Sequence, residues 1–292
     1  MVMMTFLLLF CIVFPLTKIL AVTLGAGVQW HEAYDFVQKQ GRYIVGGVSG
    51  GGTVGAAGGW VMGGGHSMFS PKFGLGMSHT AIFFFFFGFC LNSSHDVGVD
   101  NVLQFTIVLA DGSLVTTNSF QFPDLFWALR GGGGGTYGVI TSTTYQTHPI
   151  IPFTLVYLTS NFTSPAIAQN VTTELIRLHP TLSDAGWGGY ITTSNSSCTI
   201  TLGAPNISWA DTNATFLPFA EYVTEATGGM TNTTTGPFSS FYEFYQTFFS
   251  SPIAPGVPRI EIASRFLPRS FAAADPAKVA KILLSIEGAS MK

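Results

Sequence analysis

Glycine limits what this chain can fold into more than any other residue does. Of its 34 glycines, 20 fall in two places, between Gly41 and Gly76 and at Gly131–Gly138, and the first holds the run "GGVSGGGTVGAAGGWVMGGGHS". Crowding of this kind points to particular loops and not to a disordered tract. Residues without Cβ let backbone N–H groups come close to a flat ring or an anion, and they also permit turns and tight packing. Glycine alone leaves both uses open. Two stretches fit G-x-G-x-x-G, at Gly50, Gly52 and Gly55 and at Gly133, Gly135 and Gly138. That fingerprint also needs an acidic residue about 20 positions on, to hold a ribose hydroxyl. No Asp or Glu lies between Asp35 and Asp96, and none between Asp124 and Glu174. A nicotinamide-binding reading is therefore set aside.

Charge excludes further classes. Only 9% of the 292 residues are charged, against roughly 25% in ordinary soluble domains, and the net charge is −3. Neither a nucleic acid nor an anionic membrane surface is an expected partner. Asn161, Asn170, Asn195, Asn206, Asn213 and Asn232 each open an Asn-X-Ser/Thr sequon, and Asn92 makes a seventh. Six within 161–232 predict a secreted protein solubilised by glycans. Cys11, Cys90 and Cys198 have no metal-type spacing, so no metal site is expected and Cys198 is expected to be unpaired. Residues 1–20 read as a hydrophobic leader, either signal-like or a misplaced gene start, without a basic n-region. "AIFFFFFGFCL" is too short for a bilayer, which needs about 20 residues.

Patterning predicts two domains meeting near residue 150. In the first, "AVTLGAGVQWHEAYDFVQKQG" reads as strand, turn and helix, with Ala33, Phe36 and Val37 apolar, and "YIVGGV" reads as a buried strand. "NVLQFTIVLADGSLVTTN" predicts a hairpin around Asp-Gly, and "PDLFWALRGGGGGTYGVITSTTYQTHPI" a short helix, a glycine loop and a strand. Beyond His148 the order is strand, helix (Ile167, Val171 and Leu175 at helical spacing), hairpin, helix, which suggests an antiparallel sheet with helices on one face.

The ordered set "TVG", "GGGHS", "FGLG", "DNVL", "ADG", "DLFWALRGGGG" and "YGV" resembles FAD-linked oxidases of the vanillyl-alcohol oxidase and berberine-bridge-enzyme type. Within them it looks closest to the secreted fungal branch labelled isoamyl alcohol oxidase-like. The match is dense over 21–77 and 98–149 and weak beyond. It implies an α+β fold: the second half of a PCMH-type FAD-binding domain at 21–149, followed by part of an antiparallel-sheet substrate domain at 150–292. It implies FAD as cofactor, a small-molecule substrate carrying an alcohol or amine, and O2 as electron acceptor. Thr53 and Gly55 would sit on the pyrophosphate or flavin side. Gly59, Gly63, Gly65 and His66 would line the same wall, and Gly138 with Val139 would close over the adenine end. The family's flavin-bonding histidine belongs to an earlier Gly-Gly-His loop, and its cysteinyl link would align near Gly51, so His66 is assigned no covalent role. The catalytic base is not among the matched residues. The family's cofactor domain begins well upstream of Ala21, so this chain by itself is expected to hold FAD poorly. A rival reading is a non-catalytic gene product that binds no cofactor, and a third is a membrane-anchored glycoprotein.

Met77–Val97 interrupts the family's "FGLGVDN" and reads as a retained intron, its phenylalanine run encoded by a pyrimidine-rich tract before a splice acceptor. As protein, the block is expected to form a poorly packed excursion from the sheet, with Gly76 and Gly98 close together.

Overall fold

The computed structural model describes residues 7–14, 17–73, 81–85, 88–92, 98–251 and 266–286, with backbone alone at 7–14, 17–19, 70, 73, 81–85, 88–92, 98, 266 and 267. Gly76 lies outside the described residues. The chain divides into two compact units: Met1–Leu75, Asp96–Ile151 and Ser240–Pro255 form the first, and Gly76–His95, Pro152–Ser239 and Gly256–Lys292 the second. The chain changes unit at Ile151, beside the expected boundary, and then returns at Ser240.

That return follows from aromatic packing. Ser240 caps the helix Phe241–Phe248, its side chain accepting from Glu243 N, and Phe241, Phe244 and Tyr245 are buried. Phe241 and Tyr245 lie 5.1 and 5.2 Å from Tyr34, ring centre to ring centre. Tyr34 belongs to the helix Trp30–Lys39, which opens with a Gln29–Glu32 capping box. Trp30, Ala33, Tyr34 and Val37 are its buried face, at the spacing of one helical stripe.

The first unit's sheet is antiparallel and five-stranded, in the order Leu7–Phe14, Thr17–Gly25, Val139–Gln146, Val102–Val108, Leu114–Thr117. The expected Asp-Gly hairpin is present, with Asp111 Oδ1 accepting from Ser113 N at 2.9 Å and from its hydroxyl at 2.6 Å. The expected strand at "YIVGGV" is corrected. Only Arg42–Tyr43 pairs, with His148–Pro149, and Ile44 to Gly47 run buried without a ladder. Gly46 and Gly47 instead cross the faces of tryptophan side chains, described below.

The second unit is an antiparallel sheet with helices on one face. Val156, Leu158, Ile191, Cys198, Ile200, Leu202 and Ala204 point into one core with the helices Pro165–Asp184, Trp209–Ala226 and Pro276–Ser285. Cys198 is free and buried, and burial pushes its thiol up to about 12. The strand order is Thr231–Phe238, Phe153–Asn161, Ser197–Pro205, Gly188–Thr193, Gly88–Asn92, Ala81–Phe85, Phe266–Pro268. Within Met77–Val97 the described backbone thus forms a hairpin inside the sheet, not the expected excursion. Ile and Phe favour strands, and the edge beyond Gly188–Thr193 offers unpaired backbone groups to receive one. Among the described residues, no helix is long and apolar enough to cross a membrane.

Candidate cofactor site

Aromatic rings support the first glycine loop. Trp30 and Trp60 meet edge to face with centroids 4.8 Å apart, and Tyr34 stacks on Trp30 at 5.5 Å. A Cβ on Gly46 would fall 2.5 Å from the Trp30 ring, one on Gly47 2.6 Å from Trp60 Nε1, and one on Gly65 2.7 Å from the Trp60 ring. These glycines are demanded by packing. Hydrogen bonds pin the next residues: Trp30 N donates to Val54 O at 3.0 Å and Ala56 N to Val28 O at 2.8 Å. Tyr145 Oη donates to Ala56 O, and Thr143 Oγ1 to Ala57 O at 2.9 Å.

The second glycine loop rests on the first. Gly133 N donates to Met62 O at 2.8 Å, and a Cβ on Gly134 would stand 3.5 Å from Gly59 Cα. Together they leave a backbone surface that no described residue fills. At Gly55, Gly58 and Gly59 an added Cβ would meet nothing within 4 Å, and none of the three has a positive φ. Neither packing against the described residues nor backbone conformation accounts for glycine there.

The predicted site residues fall into two sets. Gly55 and Gly59 lie on the open surface with Thr53 exposed beside it, whereas Gly63 is exposed but a Cβ there would stand 3.2 Å from Gly59 O. Gly65, buried at φ +61°, and Gly138, at φ +148° with a Cβ position 2.3 Å from Val108 O, have structural reasons to be glycine. Val139 is 69% exposed at the start of its strand. His66 is half-buried, and burial holds its imidazole below the ordinary range, hence neutral near pH 7.

Several residues carry no signal in the sequence. The Ser49 hydroxyl and Trp30 Nε1 are buried without hydrogen-bond partners among the described residues. His148 Nε2 sits 2.7 Å from Asn101 Oδ1, and burial, with Arg42 nearby, pushes that imidazole down to about 4. A separate cleft of about 500 Å3 is lined by His31, Asp35, Lys39, Tyr242 and Tyr245 among others. Its Asp35 is committed to Lys39 at 2.6 Å and Tyr242 at 3.1 Å. Among the described residues no three His, Cys, Asp or Glu converge to hold a metal.

No protein-family model matches the chain. It is 38% identical over 233 residues to an FAD-linked oxidoreductase of Aspergillus flavipes, ffsJ, covering 78% of this chain and 32% of that protein. It is 33% identical over 240 residues to the FAD-linked oxidoreductase phmC of Phaeosphaeria nodorum, covering 81% and 47%. Its backbone superposes on the VAO-type flavoprotein MtVAO615 of Myceliophthora thermophila C1 with a TM-score of 0.73 at 26% identity, over 96% of this chain and 47% of that one. The chain belongs to the VAO-type family of FAD-linked oxidoreductases. It spans between a third and a half of the length of the curated relatives just named. In this VAO-type chain the open glycine surface fits the family's cofactor on two grounds. It lacks Cβ atoms where a pyrophosphate or ring would approach, and residues 36–95 contain no carboxylate to repel an anion.

Proposed function

We propose that the protein is an FAD-dependent oxidase acting on a small molecule. The observation that carries this reading is the pair of abutting glycine loops, open at Gly55, Gly58 and Gly59, in a chain related to FAD-linked oxidoreductases. Thr53, Gly55, Gly59 and Gly63 would hold the cofactor by backbone N–H groups and close contact, His66 would line the wall as a neutral imidazole, and Gly138–Val139 would meet the adenine end. The chemistry FAD supplies when bound is acceptance of a hydride from a carbon bearing a hydroxyl or amine, with O2 taking both electrons and leaving as H2O2. The chain's own task is to fix the cofactor and exclude water from it. Secretion with N-glycans fits the exposure of Asn161, Asn170, Asn195, Asn206 and Asn232; Asn213 is half-buried, its Oδ1 accepting from the Thr235 hydroxyl at 2.8 Å.

Titrating the full chain with FAD and following flavin fluorescence tests the reading. Weak but saturable quenching is expected. A folded chain with no saturable response would overturn it.

A further inference from the structure

The cleft of about 500 Å3 in the first unit is built from one stripe of each of two helices, and none of Gly55, Gly58 and Gly59 lines it. Glu32, Asp35, Phe36 and Lys39 recur at three- and four-residue spacing along Trp30–Lys39, so they share a face. Tyr242, Tyr245 and Gln246 do the same along Phe241–Phe248. Ala33 and Val37 are buried, whereas Phe36, expected to be apolar with them, is half-buried and lines the cleft. Most of the polar groups here have partners. Lys39 Nζ lies 2.6 Å from Asp35 Oδ2 and holds that carboxyl below its usual range, and Tyr242 Oη donates to Asp35 Oδ1 at 3.1 Å. His31 Nδ1 donates to Gly52 O at 3.3 Å. Glu32 is different. Its Oε2 accepts from Gln29 N at 2.9 Å, and the ion pairs among the described residues do not include it.

Helix capping accounts for an acid or amide at position 32, since Glu and Gln both close a capping box, and a negative charge there also suits the helix dipole. Neither accounts for three aromatic rings, Phe36, Tyr242 and Tyr245, on the same cleft. We propose that the cleft binds a small methylated ammonium ion, its charge held between the Glu32 carboxylate and these three rings. A carboxylate with no cationic partner repels an anion, and only a positive charge offsets its desolvation. Aromatic rings attract a cation through their negative faces, most strongly where water is displaced. A primary ammonium carries three N–H donors and asks for as many acceptors, whereas a methylated head asks for none. With Asp35 already engaged, the cleft suits the methylated head. Its volume lies within the range of small-ligand sites. None of the residues proposed to hold the cofactor lines it, so the proposal does not rest on the oxidase reading.

The test is ligand-observed NMR on the full chain near neutral pH. It compares choline with its neutral isostere neohexyl alcohol, in which carbon replaces the nitrogen, and with the anion pivalate. Choline is expected to bind at least about fivefold more tightly than either. Glu32→Gln keeps the capping box, and Phe36→Leu keeps an apolar side chain of high helix propensity. Each is expected to weaken choline by about threefold or more, with Tm within a few degrees. Equal or tighter binding of the alcohol or of pivalate, or unchanged choline affinity in either folded variant, would overturn the proposal. Displacement of choline by FAD would also overturn it, by placing the cation on the glycine surface. The FAD titration reports separately: its failure with choline selectivity intact sinks the oxidase reading alone, and its success with selectivity absent sinks this one alone.

Discussion

The glycine loops of the first unit and the threonine sheet of the second are both nearly free of charge, and they become so by opposite means. In the loops the side chain is removed and the backbone is the recognising surface, its N–H groups open to an anion. In the sheet the backbone is consumed by the ladder, and short hydroxyl side chains are what remains to make contact. The comparison also divides the glycines themselves. In the first glycine loop, Gly46, Gly47 and Gly65 have a ring where Cβ would stand, whereas Gly55, Gly58 and Gly59 face open space without a positive φ.

The sharpest way to break that division is substitution at blocked positions. A Cβ on Gly189 would lie 2.0 Å from Thr201 O at φ +154°, and one on Gly138 2.3 Å from Val108 O at φ +148°. Gly189→Ala and Gly138→Ala are each expected to cost about 3 kcal/mol or more in urea denaturation. Losses under about 1 kcal/mol would mean the packing account is wrong.

Acid comes next and touches both units. His148 in the first and His179 in the second are each held at about 4, chiefly by burial and then by Arg42 and Arg269 respectively. The unfolded chain takes up these protons near pH 6.5 and the folded chain only near 4. The contribution of these two imidazoles is therefore full above pH 6.5 and is lost as pH drops toward 4, by on the order of a few kcal/mol in all. Denaturation series at pH 7 and pH 4.5 check this, and equal midpoints would count against it.

Glycans give the smallest effect. Asn161, Asn170, Asn206 and Asn232 are exposed, whereas Asn195 Nδ2 already donates to Leu284 O at 3.1 Å. Protein secreted from a fungal host is expected to lose mass on enzymatic deglycosylation while Tm stays within about 2 °C. An unchanged mass would argue against passage through the secretory pathway.

How much of this was legible in the sequence depends on which force shapes each part. The helices Trp30–Lys39 and Pro165–Asp184 and the Asp-Gly hairpin carry apolar periods or turn residues, and they read correctly. The strand Thr231–Phe238 has no apolar alternation, because threonine takes both its faces, and hydrophobic patterning passes over it. The helix Phe241–Phe248 is apolar enough to notice, yet its return to the first unit depends on Tyr34, more than two hundred positions earlier. For the glycines, motif order located the loops, but only coordinates tell Gly59 from Gly65. Met77–Val97 is a different case: a phenylalanine run reads as strand whatever its origin, so the backbone at Ala81–Phe85 does not speak to the gene. Sequencing the transcript does. The mature message is expected to lack the codons for 77–97, and a dominant message retaining them would refute the intron reading.

The central claim is that Gly55, Gly58 and Gly59 are glycine for the flavin, whereas Gly46, Gly47 and Gly65 are glycine for the packing. Gly59→Val tests it most directly, by FAD titration and thermal unfolding on the same samples as the unsubstituted chain. Side-chain atoms at Gly59 enter space that, beyond the chain neighbours and the helix's own backbone, no described residue occupies within 4 Å of the Cβ position, so Tm is expected to hold within a few degrees while FAD affinity falls by at least about tenfold. Unchanged FAD affinity in a variant of unchanged Tm would contradict the account.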